Sequence, residues 1–400
     1  MGRARNKKWI VRLAVFWLGL ASAHGTVELG IDVLKSHDYS LLKGKRVGLI
    51  TNQTGADSNG TKTRLLLKRH CNLVALYTPE HGLEGTEKAG RYVKSRRDRA
   101  TGVMAYSLYG PTRKPTPAML RGVDVLVFDL QDIGCRSYTY ISTMGRCMEA
   151  AGENKIPFVV LDRPNPVGGL RVEGPSVEPR WRSFVSEFPI PYVHGLTVGE
   201  LARMVNGRHW TSVPCDLTVV QMRGWRRGTT WDETGLRWIP SSPNVPRGNS
   251  PLYYIATALV GELSGPEIGI PGPRPFESIG ARGVDPASFT RYLRGIDARG
   301  VEFRPWREGS IGGSSLTISA DAPANLTGLG IYMLAELNRQ TRADLFRRTS
   351  ASKLDIFYKV CGGTFIQAQV REGKSPASIV ASWRPNELEF RRTRAQYLLY

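Results

Sequence analysis

Glu80 and His81 are the residues most able to do chemistry in this sequence, and they stand side by side before Gly82. They directly follow residues 73–78, whose apolar pattern is typical of a buried strand. In an open α/β sheet, ligands bind in the crevice beyond the carboxyl ends of the strands. Glu80 is therefore a candidate proton donor in such a crevice. The structural alternative is that Glu80 caps a helix or pairs with an arginine.

Polar side chains also follow three other apolar runs, residues 47–51, 123–128 and 157–161. Continuous runs of this kind predict strands buried on both faces of a parallel sheet. Helical patterns in residues 61–69 and 143–154 lie between them. The polar side chains expected at the shared edge are Asn52, Asp129, Gln131, Asp132, Arg163 and Asn165.

The strand-end pattern stops near residue 282, which indicates a second structural unit. A helical pattern in residues 287–294 is followed by short strand patterns and a long amphipathic helix. The sequence therefore predicts an α/β protein with two domains. A Rossmann-like, mostly parallel sheet domain spans residues 27–282, and a smaller α+β auxiliary domain spans residues 283–400.

The N-terminus has the pattern of a secretory signal peptide, residues 1–23. Four basic residues precede an apolar run at residues 9–20, and small residues at 21–23 predict cleavage after Ala23. The apolar run is too short to span a bilayer comfortably, and Arg12 interrupts it. We therefore expect a secreted or periplasmic protein with no stable membrane span after processing.

The formal net charge is +20, and loss of the five cations in residues 1–23 lowers it to +15. A positive surface attracts anionic partners through long-range forces that salt screens. An arginine-rich exterior without a partner explains the charge equally well. Nucleic acid is not expected, because the export signal argues against it and no binding module is present. A cell-wall polymer that carries carboxylates suits the same charge.

Several classes of site are missing from the sequence. The five cysteines are too scattered for a disulfide framework, and no histidine or cysteine pair has the spacing of a metal site. There is no nucleophile elbow, no Walker loop and no glycine-rich dinucleotide fingerprint. We therefore expect no metal and no cofactor.

Short strings spread along the chain carry a family resemblance. They cover residues 48–55, 79–82, 128–140, 161–166, 194–197 and 243–244. These strings, in this order along the chain, resemble those of the exo-β-N-acetylmuramidases of the NamZ type, glycoside hydrolase family 171. The resemblance implies a secreted enzyme that removes N-acetylmuramic acid from the non-reducing end of peptidoglycan fragments. It also implies an active site between a Rossmann-like domain and an auxiliary domain.

The resemblance implies roles for particular residues. Glu80 falls on the glutamate that looks like the catalytic acid, and Glu262 matches a family position. The string after the third strand is similar to the part of the pocket expected to hold the sugar. The implied sugar-binding residues there are Asp129, Gln131, Asp132, Arg136, Tyr138 and Tyr140. His81, Asn165, His194 and Asn244 complete the candidate binding set. Residues 269–272 depart from the family form, which implies a shifted preference on the aglycone side.

Glycoside hydrolysis requires a proton on the leaving oxygen and a second carboxylate for the oxocarbenium-like centre. Glu80 is the better acid, because a carboxyl group desolvated at a crevice floor is a better proton donor near neutral pH. Asp132 or Glu262 is the second carboxylate, as base or as nucleophile. The choice depends on the separation of the carboxyl groups, about 5 Å or about 6.5–9.5 Å.

Arg136 and Arg163 have the forked geometry that binds a carboxylate. Muramic acid differs from glucosamine by a lactyl carboxylate, so one of these arginines is a candidate to bind that group. The alternative is that both pair with Asp129 or Asp162 and hold the strand ends.

A second class of function stays open from sequence alone. The same export signal, basic surface and crevice fit a non-catalytic protein that binds cell-wall saccharides. The sequence carries no signal for oligomeric state or for the stereochemical outcome of hydrolysis.

Overall fold

A mostly parallel seven-stranded sheet forms the first half of the protein. The computed structural model describes residues 26–400, so the predicted signal peptide lies outside the described residues. The strands are β1 (Arg46–Thr51), β2 (Asn72–Thr78), β3 (Arg96–Arg97), β4 (Met104–Ser107), β5 (Val125–Asp129), β6 (Phe158–Leu161) and β7 (Leu217–Val220).

The strand order is β3-β4-β2-β1-β5-β6-β7. All neighbours are parallel except β3, which pairs antiparallel with β4. The six parallel strands follow the order of a doubly wound sheet, in which the strand order reverses between β1 and β5. The carboxyl ends of β1, β2, β4, β5 and β6 therefore lie along one edge.

Helices cover both faces of the sheet. Successive side chains along each strand point to opposite faces, so each strand contributes to two cores. In β5, Val125 and Val127 belong to the core beneath α1 (Gly30–Ser36) and α2 (Thr63–His70). Leu126 and Phe128 belong to the opposite core. That core is covered by α3 (Tyr140–Glu153) and α4 (Val198–Gly207). The apolar runs read from sequence are thus fully buried strands, as predicted.

The start of α4 follows the predicted capping pattern. The Thr197 hydroxyl accepts a hydrogen bond from the backbone N–H of Glu200, and the Glu200 carboxylate accepts one from the backbone N–H of Thr197. This capping box satisfies two of the free N–H groups at the helix start. Helix α3 begins at Tyr140, three residues before the predicted start at residue 143.

The second half of the protein is a smaller α+β unit. It contains a three-stranded antiparallel sheet in the order β8-β10-β9, surrounded by helices. Its strands are β8 (Ser278–Arg282), β9 (Val301–Glu308) and β10 (Ile311–Ile318). Its helices are α5 (Ser250–Gly261), α6 (Pro286–Arg294), α7 (Leu326–Thr341), α8 (Leu345–Arg348), α9 (Ala351–Cys361), α10 (Phe365–Arg371), α11 (Pro376–Ala381) and α12 (Arg384–Arg394). The predicted fold class is confirmed.

The two halves share one hydrophobic core, which runs from β5 and α3 into α5 and α7. Helices α5 and α7 approach closely at Gly330, where a Cβ would lie 3.0 Å from the Ala256 carbonyl oxygen. Strand β8 ends at Arg282 and pairs with β10 of the second sheet. The division into domains at residue 282 stays a prediction. No helix within residues 26–400 is long and apolar enough to cross a membrane.

The C-terminal residues return to the first half of the protein. The Tyr400 hydroxyl donates to Asp162 Oδ2 at 2.8 Å and accepts from the backbone N–H of Met222 at 2.8 Å. Its ring packs edge-on against Trp225. Burial raises the pKa of Asp162 to about 6, and the hydroxyl donors of Thr197 and Tyr400 oppose that effect. The chain end therefore helps to hold the carboxyl end of β6.

We predict that Tyr400→Phe lowers the free energy of unfolding by about 1–3 kcal/mol, because the Met222 N–H loses its acceptor and Asp162 loses a donor. Urea denaturation of the full chain measures the change. Tyr92→Phe is the matched control, since Tyr92 is 53% exposed and its loss should change stability by less than about 0.5 kcal/mol. Equal stability of the two variants would show that the Tyr400 hydroxyl does not stabilise the carboxyl end of β6.

Candidate active site

A cleft of about 470 Å³ opens at the carboxyl edge of the sheet, between the two halves of the protein. One side is formed by the loops that follow β2, β4 and β5. The other side is formed by α5, the segment after it, and α9. The volume lies in the range of small-molecule sites. Of the predicted site residues, the cleft brings together Glu80, His81, Tyr138, Asn244 and Glu262.

Glu80 is held at the cleft by two donors, one to each carboxylate oxygen. The backbone N–H of Gly90 donates to Oε1 at 2.7 Å, and the Thr139 hydroxyl donates to Oε2 at 2.8 Å. The residue is only 8% exposed. Gly90 lies in the loop after β2, and Thr139 is the residue that precedes α3. Two separate elements therefore fix the orientation of this carboxylate.

His81 lines the cleft with a defined tautomer. Its Nδ1 lies 2.6 Å from the carbonyl oxygen of Glu87. A carbonyl can only accept, so Nδ1 carries the proton and Nε2 is the acceptor of the neutral ring. The backbone of His81 has a φ of 69°, and Gly82 has a φ of 75°. A non-glycine residue in this left-handed region is strained, which is common at functional sites.

Tyr109, which follows β4, extends the polar environment of Glu80. Burial raises the pKa of Tyr109 to about 12, and the charge of Glu80 and a hydrogen bond to it act in the same direction. The Arg113 guanidinium lies over the Tyr109 ring, 3.6 Å from its centroid, and also over Phe184. Tyr109 therefore stays neutral near pH 7 beside Glu80.

A loop at residues 240–245 forms another part of the cleft wall. The Tyr140 hydroxyl donates to the Ser241 carbonyl at 2.6 Å, and Tyr138 donates to the Ser241 hydroxyl at 2.9 Å. Asn52 Nδ2 donates to the Tyr140 hydroxyl at 2.9 Å. Asn52 and Tyr140 thus position the loop that brings Asn244 into the cleft, and neither of the two lines the cleft itself.

Glu262 directly follows α5 and lines the cleft from the second half of the protein. Burial raises the pKa of its carboxyl group, and the nearby ammonium of Lys353 opposes this effect. The surrounding wall is apolar and aromatic, with Tyr254 packed edge-on against Phe276 at 5.0 Å. Ile268 and Ile270 also line the cleft. The segment that departs from the family form therefore does form part of the wall.

Asp132 lies outside the cleft lining. Its Oδ1 accepts from the Gly134 N–H at 2.8 Å, and its Oδ2 has no hydrogen-bond partner among the described residues. Burial raises the pKa of Asp132 to about 7, against the effect of the Gly134 and Ile133 backbone donors. Of the two candidates for the second carboxylate, the cleft contains Glu262.

Arg136 does not reach the cleft. Its guanidinium is fully buried and donates to the carbonyl oxygens of Pro175, Ile190 and Val360, and to the Ser186 hydroxyl. These acceptors occupy both terminal nitrogens and Nε. The hypothesis that Arg136 binds the lactyl carboxylate is therefore wrong for this geometry, because the side chain ties α9 to the first half of the protein.

Arg163 forms a buried ion pair with Asp129, 2.6 Å from Nε to Oδ1. Asp129 also accepts from the Thr63 hydroxyl at 2.5 Å, and Arg163 donates to the Ala56 carbonyl at 2.7 Å. This is the structural alternative expected from sequence. Arg163 and Gln131 line a second, smaller cavity of about 100 Å³ beyond β1, β5 and β6.

Asn165 and His194 stabilise backbone away from the cleft. Asn165 donates to the Leu196 carbonyl at 3.0 Å and accepts from the Val167 N–H at 3.1 Å. His194 Nδ1 accepts from the Leu196 N–H at 3.2 Å. Burial lowers the pKa of His194 to about 3, helped by Arg394 and Arg136. The neutral His194 is thus part of the turn that precedes α4.

Sequence reasoning missed several residues of the cleft. Tyr109 follows the short strand β4, whose four residues give too weak a pattern to stand out. Thr139 lies inside the string at 138–140, and its place between two tyrosines was the available signal. Tyr254 and Lys353 come from helices of the second half, and no local motif marks them.

Asp132 gives a prediction for the pH dependence of stability. Its pKa in the folded state is raised above the unfolded value, so the folded state holds the proton more tightly and stability falls as pH rises from about 4 to about 7. We predict that Asp132→Asn becomes progressively more stable relative to the natural protein across this window, by up to about 1.4 kcal/mol per pH unit. The difference should be constant above it. Urea denaturation at several pH values measures this, and a difference that does not vary with pH would contradict it.

Comparisons with protein-family models and with known proteins point to the same family. A model described as "Exo-beta-N-acetylmuramidase NamZ, N-terminal" matches residues 47–249, and the corresponding C-terminal model matches residues 252–400. The peptidoglycan beta-N-acetylmuramidase NamZ of Bacillus subtilis (strain 168) is 40% identical over 385 residues. That match covers 94% of this chain and 91% of the relative.

Two crystal structures of DUF1343 family proteins from Bacteroides fragilis NCTC 9343 have the same fold. One has a TM-score of 0.89 at 41% identity, and the other has a TM-score of 0.70 at 29% identity. Each match covers 94% of this chain and 99% of the solved chain. The resemblance read from the short strings is confirmed, and the chain belongs to the NamZ family of exo-β-N-acetylmuramidases.

Proposed function

We propose that this protein is an exo-acting glycoside hydrolase that releases N-acetylmuramic acid from the non-reducing end of peptidoglycan fragments. The observation that carries the proposal is the presence of Glu80 and Glu262 in the lining of one cleft, one from each half of the protein. The family membership and the name of the Bacillus subtilis relative support the same activity.

Glu80 acts as the general acid in this proposal. The leaving oxygen of a glycoside needs a proton as the bond breaks, and the donor must lie within hydrogen-bond distance of it. The Thr139 hydroxyl and the Gly90 N–H hold the Glu80 carboxyl group in a single orientation. A carboxyl group fixed in this way requires little reorganisation before proton transfer.

Glu262 supplies the second carboxylate. It stabilises the positive charge that develops on the sugar ring, either as the base for a water molecule or as the nucleophile. The apolar wall around Tyr254 and Phe276 offers flat surfaces for the faces of the sugar rings. Tyr109 and His81 complete the polar side of the same cleft.

A saccharide-binding protein without catalysis is the alternative class. Hydroxyl recognition alone requires donors and acceptors at the surface of a pocket, and it does not need two carboxyl groups from different halves of the protein in one cleft. Burial raises the pKa of Glu262, and a carboxyl group with a perturbed pKa in a cleft favours a catalytic site. Hydrolysis is therefore the better account.

Export to the cell wall is part of the proposal, because peptidoglycan lies outside the cytoplasm. The signal-peptide pattern of residues 1–23 supports it. In the producing cell, we expect a mature protein that begins at His24, identified by N-terminal mass spectrometry of the secreted or periplasmic fraction. An intact N-terminus on protein confined to the cytoplasm would contradict export.

Glu80→Gln tests the catalytic role. A glutamine amide oxygen still accepts from the Gly90 N–H, and the Thr139 hydroxyl can accept from the amide nitrogen, so the fold and the cleft are preserved. We predict a fall in kcat of about a hundredfold to ten-thousandfold. Saccharide affinity should change by less than about threefold, because a binding role needs shape and hydrogen bonds only.

The assay measures release of free N-acetylmuramic acid from a chromogenic glycoside and from defined disaccharides. Glu308→Gln, an exposed residue at the end of β9, is the matched control and should keep full activity. A Glu80→Gln variant with unchanged turnover would rule out Glu80 as the acid. Cleavage inside long glycan strands would contradict exo action.

A further inference from the structure

The proposed substrate carries a charge that this cleft must accommodate. N-acetylmuramic acid has a lactyl carboxylate, whereas N-acetylglucosamine has a neutral hydroxyl at the same position. The cleft is lined by three acidic residues, Glu80, Glu262 and Glu267. Like charges repel an anionic ligand strongly in a partly buried site. A cation in the cleft would offset this repulsion and favour binding of the lactyl carboxylate.

The arginines predicted from sequence do not supply that cation. Arg136 donates to four protein acceptors, and Arg163 is paired with Asp129 beside the smaller cavity. Arg113 is not among the residues that line the cleft, and its guanidinium lies over the rings of Tyr109 and Phe184. Among residues 26–400, Lys353 is the one lysine or arginine that lines the cleft.

Lys353 lies in the first turn of α9, which the Ser350 side chain caps. Lys353 is exposed, so its ammonium group is accessible to a ligand. Lys353 and Glu262 both line the cleft from the second half of the protein, and the lysine charge acts on that carboxyl group. The start of α9 adds positive potential from the backbone N–H groups, which favours an anion there.

We propose that Lys353 forms a carboxylate-binding subsite that receives the lactyl group of N-acetylmuramic acid and so selects muramic over glucosamine glycosides. This inference rests on the proposed function and adds the residue that determines specificity. A lysine ammonium is a compact point charge on a flexible stem, so it can follow the rotatable lactyl ether. The second half of the protein thereby contributes the group that recognises the sugar.

The test compares two chromogenic β-glycosides, one of N-acetylmuramic acid and one of its lactyl methyl ester, which is neutral. For Lys353→Met we expect kcat/KM to fall roughly ten- to a hundredfold on the free acid, mainly through a higher KM. The ester should change by less than about threefold. Lys353→Arg should recover most of the activity on the free acid, because it keeps the charge.

Lys359→Met is the matched control. Lys359 lies on the same helix, and its replacement by methionine removes the same charge. Its ammonium is paired with Asp355, and neither residue lines the cleft. It should leave both substrates unaffected. Equal losses of Lys353→Met on acid and ester would overturn the proposal, since they would mean that Lys353 acts only through Glu262 or the fold. No loss on either substrate would overturn it too.

A binding measurement separates this proposal from the proposed hydrolysis. Isothermal titration of Glu80→Gln and of Glu80→Gln with Lys353→Met uses N-acetylmuramic acid and its methyl ester as ligands. Selective loss of affinity for the free acid supports the subsite even if the natural protein releases no sugar. If the natural protein releases no sugar, the proposed hydrolysis would be contradicted and the proposed subsite would not. Equal affinities for acid and ester in the Glu80→Gln variant would overturn the subsite.

Discussion

The site depends on one constraint: every polar side chain buried at the carboxyl edge of the sheet needs a partner, because an unpaired polar group costs free energy there. Asp129 meets this need with Arg163 and Thr63, and Asn52 meets it with Tyr140 and Thr54. These pairs fix the loops that follow the strands. Glu80 is held in the same way, by Gly90 and Thr139, but its carboxylate faces a cleft. The partners that stabilise the edge therefore also orient the acid.

The edge holds two cavities with different chemistry. The smaller one lies where the strand order of the sheet reverses, between β1 and β5, and doubly wound folds commonly bind ligands at this position. Its two predicted residues, Gln131 and Arg163, are largely engaged by the protein. The larger cleft lies to one side, over β2 and β4, and is closed by α5 and α9. The proposed ligand site lies away from the position where the strand order reverses, because its lining needs residues from both halves of the protein.

Local patterns explain which parts of this structure were predictable. Buried strands give continuous apolar runs, so the parallel sheet and the position of Glu80 at the end of β2 follow from sequence. The capping box at Thr197 is equally local. Arg136 was misread because its acceptors include Val360, 224 residues away, and no spacing rule reveals such a partner. Glu262 could not be chosen over Asp132 for the same reason, since both follow apolar segments and only the packing of α5 against the sheet brings one into the cleft.

The central claim is that sugar binds between the two halves with its glycosidic oxygen beside Glu80. A crystal structure of the Glu80→Gln variant with a disaccharide of N-acetylmuramic acid and N-acetylglucosamine tests this directly. The account predicts that the bridging oxygen lies within hydrogen-bond distance of the residue 80 side chain, with Glu262 on the other side of the muramic ring. Disaccharide bound in the smaller cavity beside Arg163, with the larger cleft occupied by solvent alone, would contradict it.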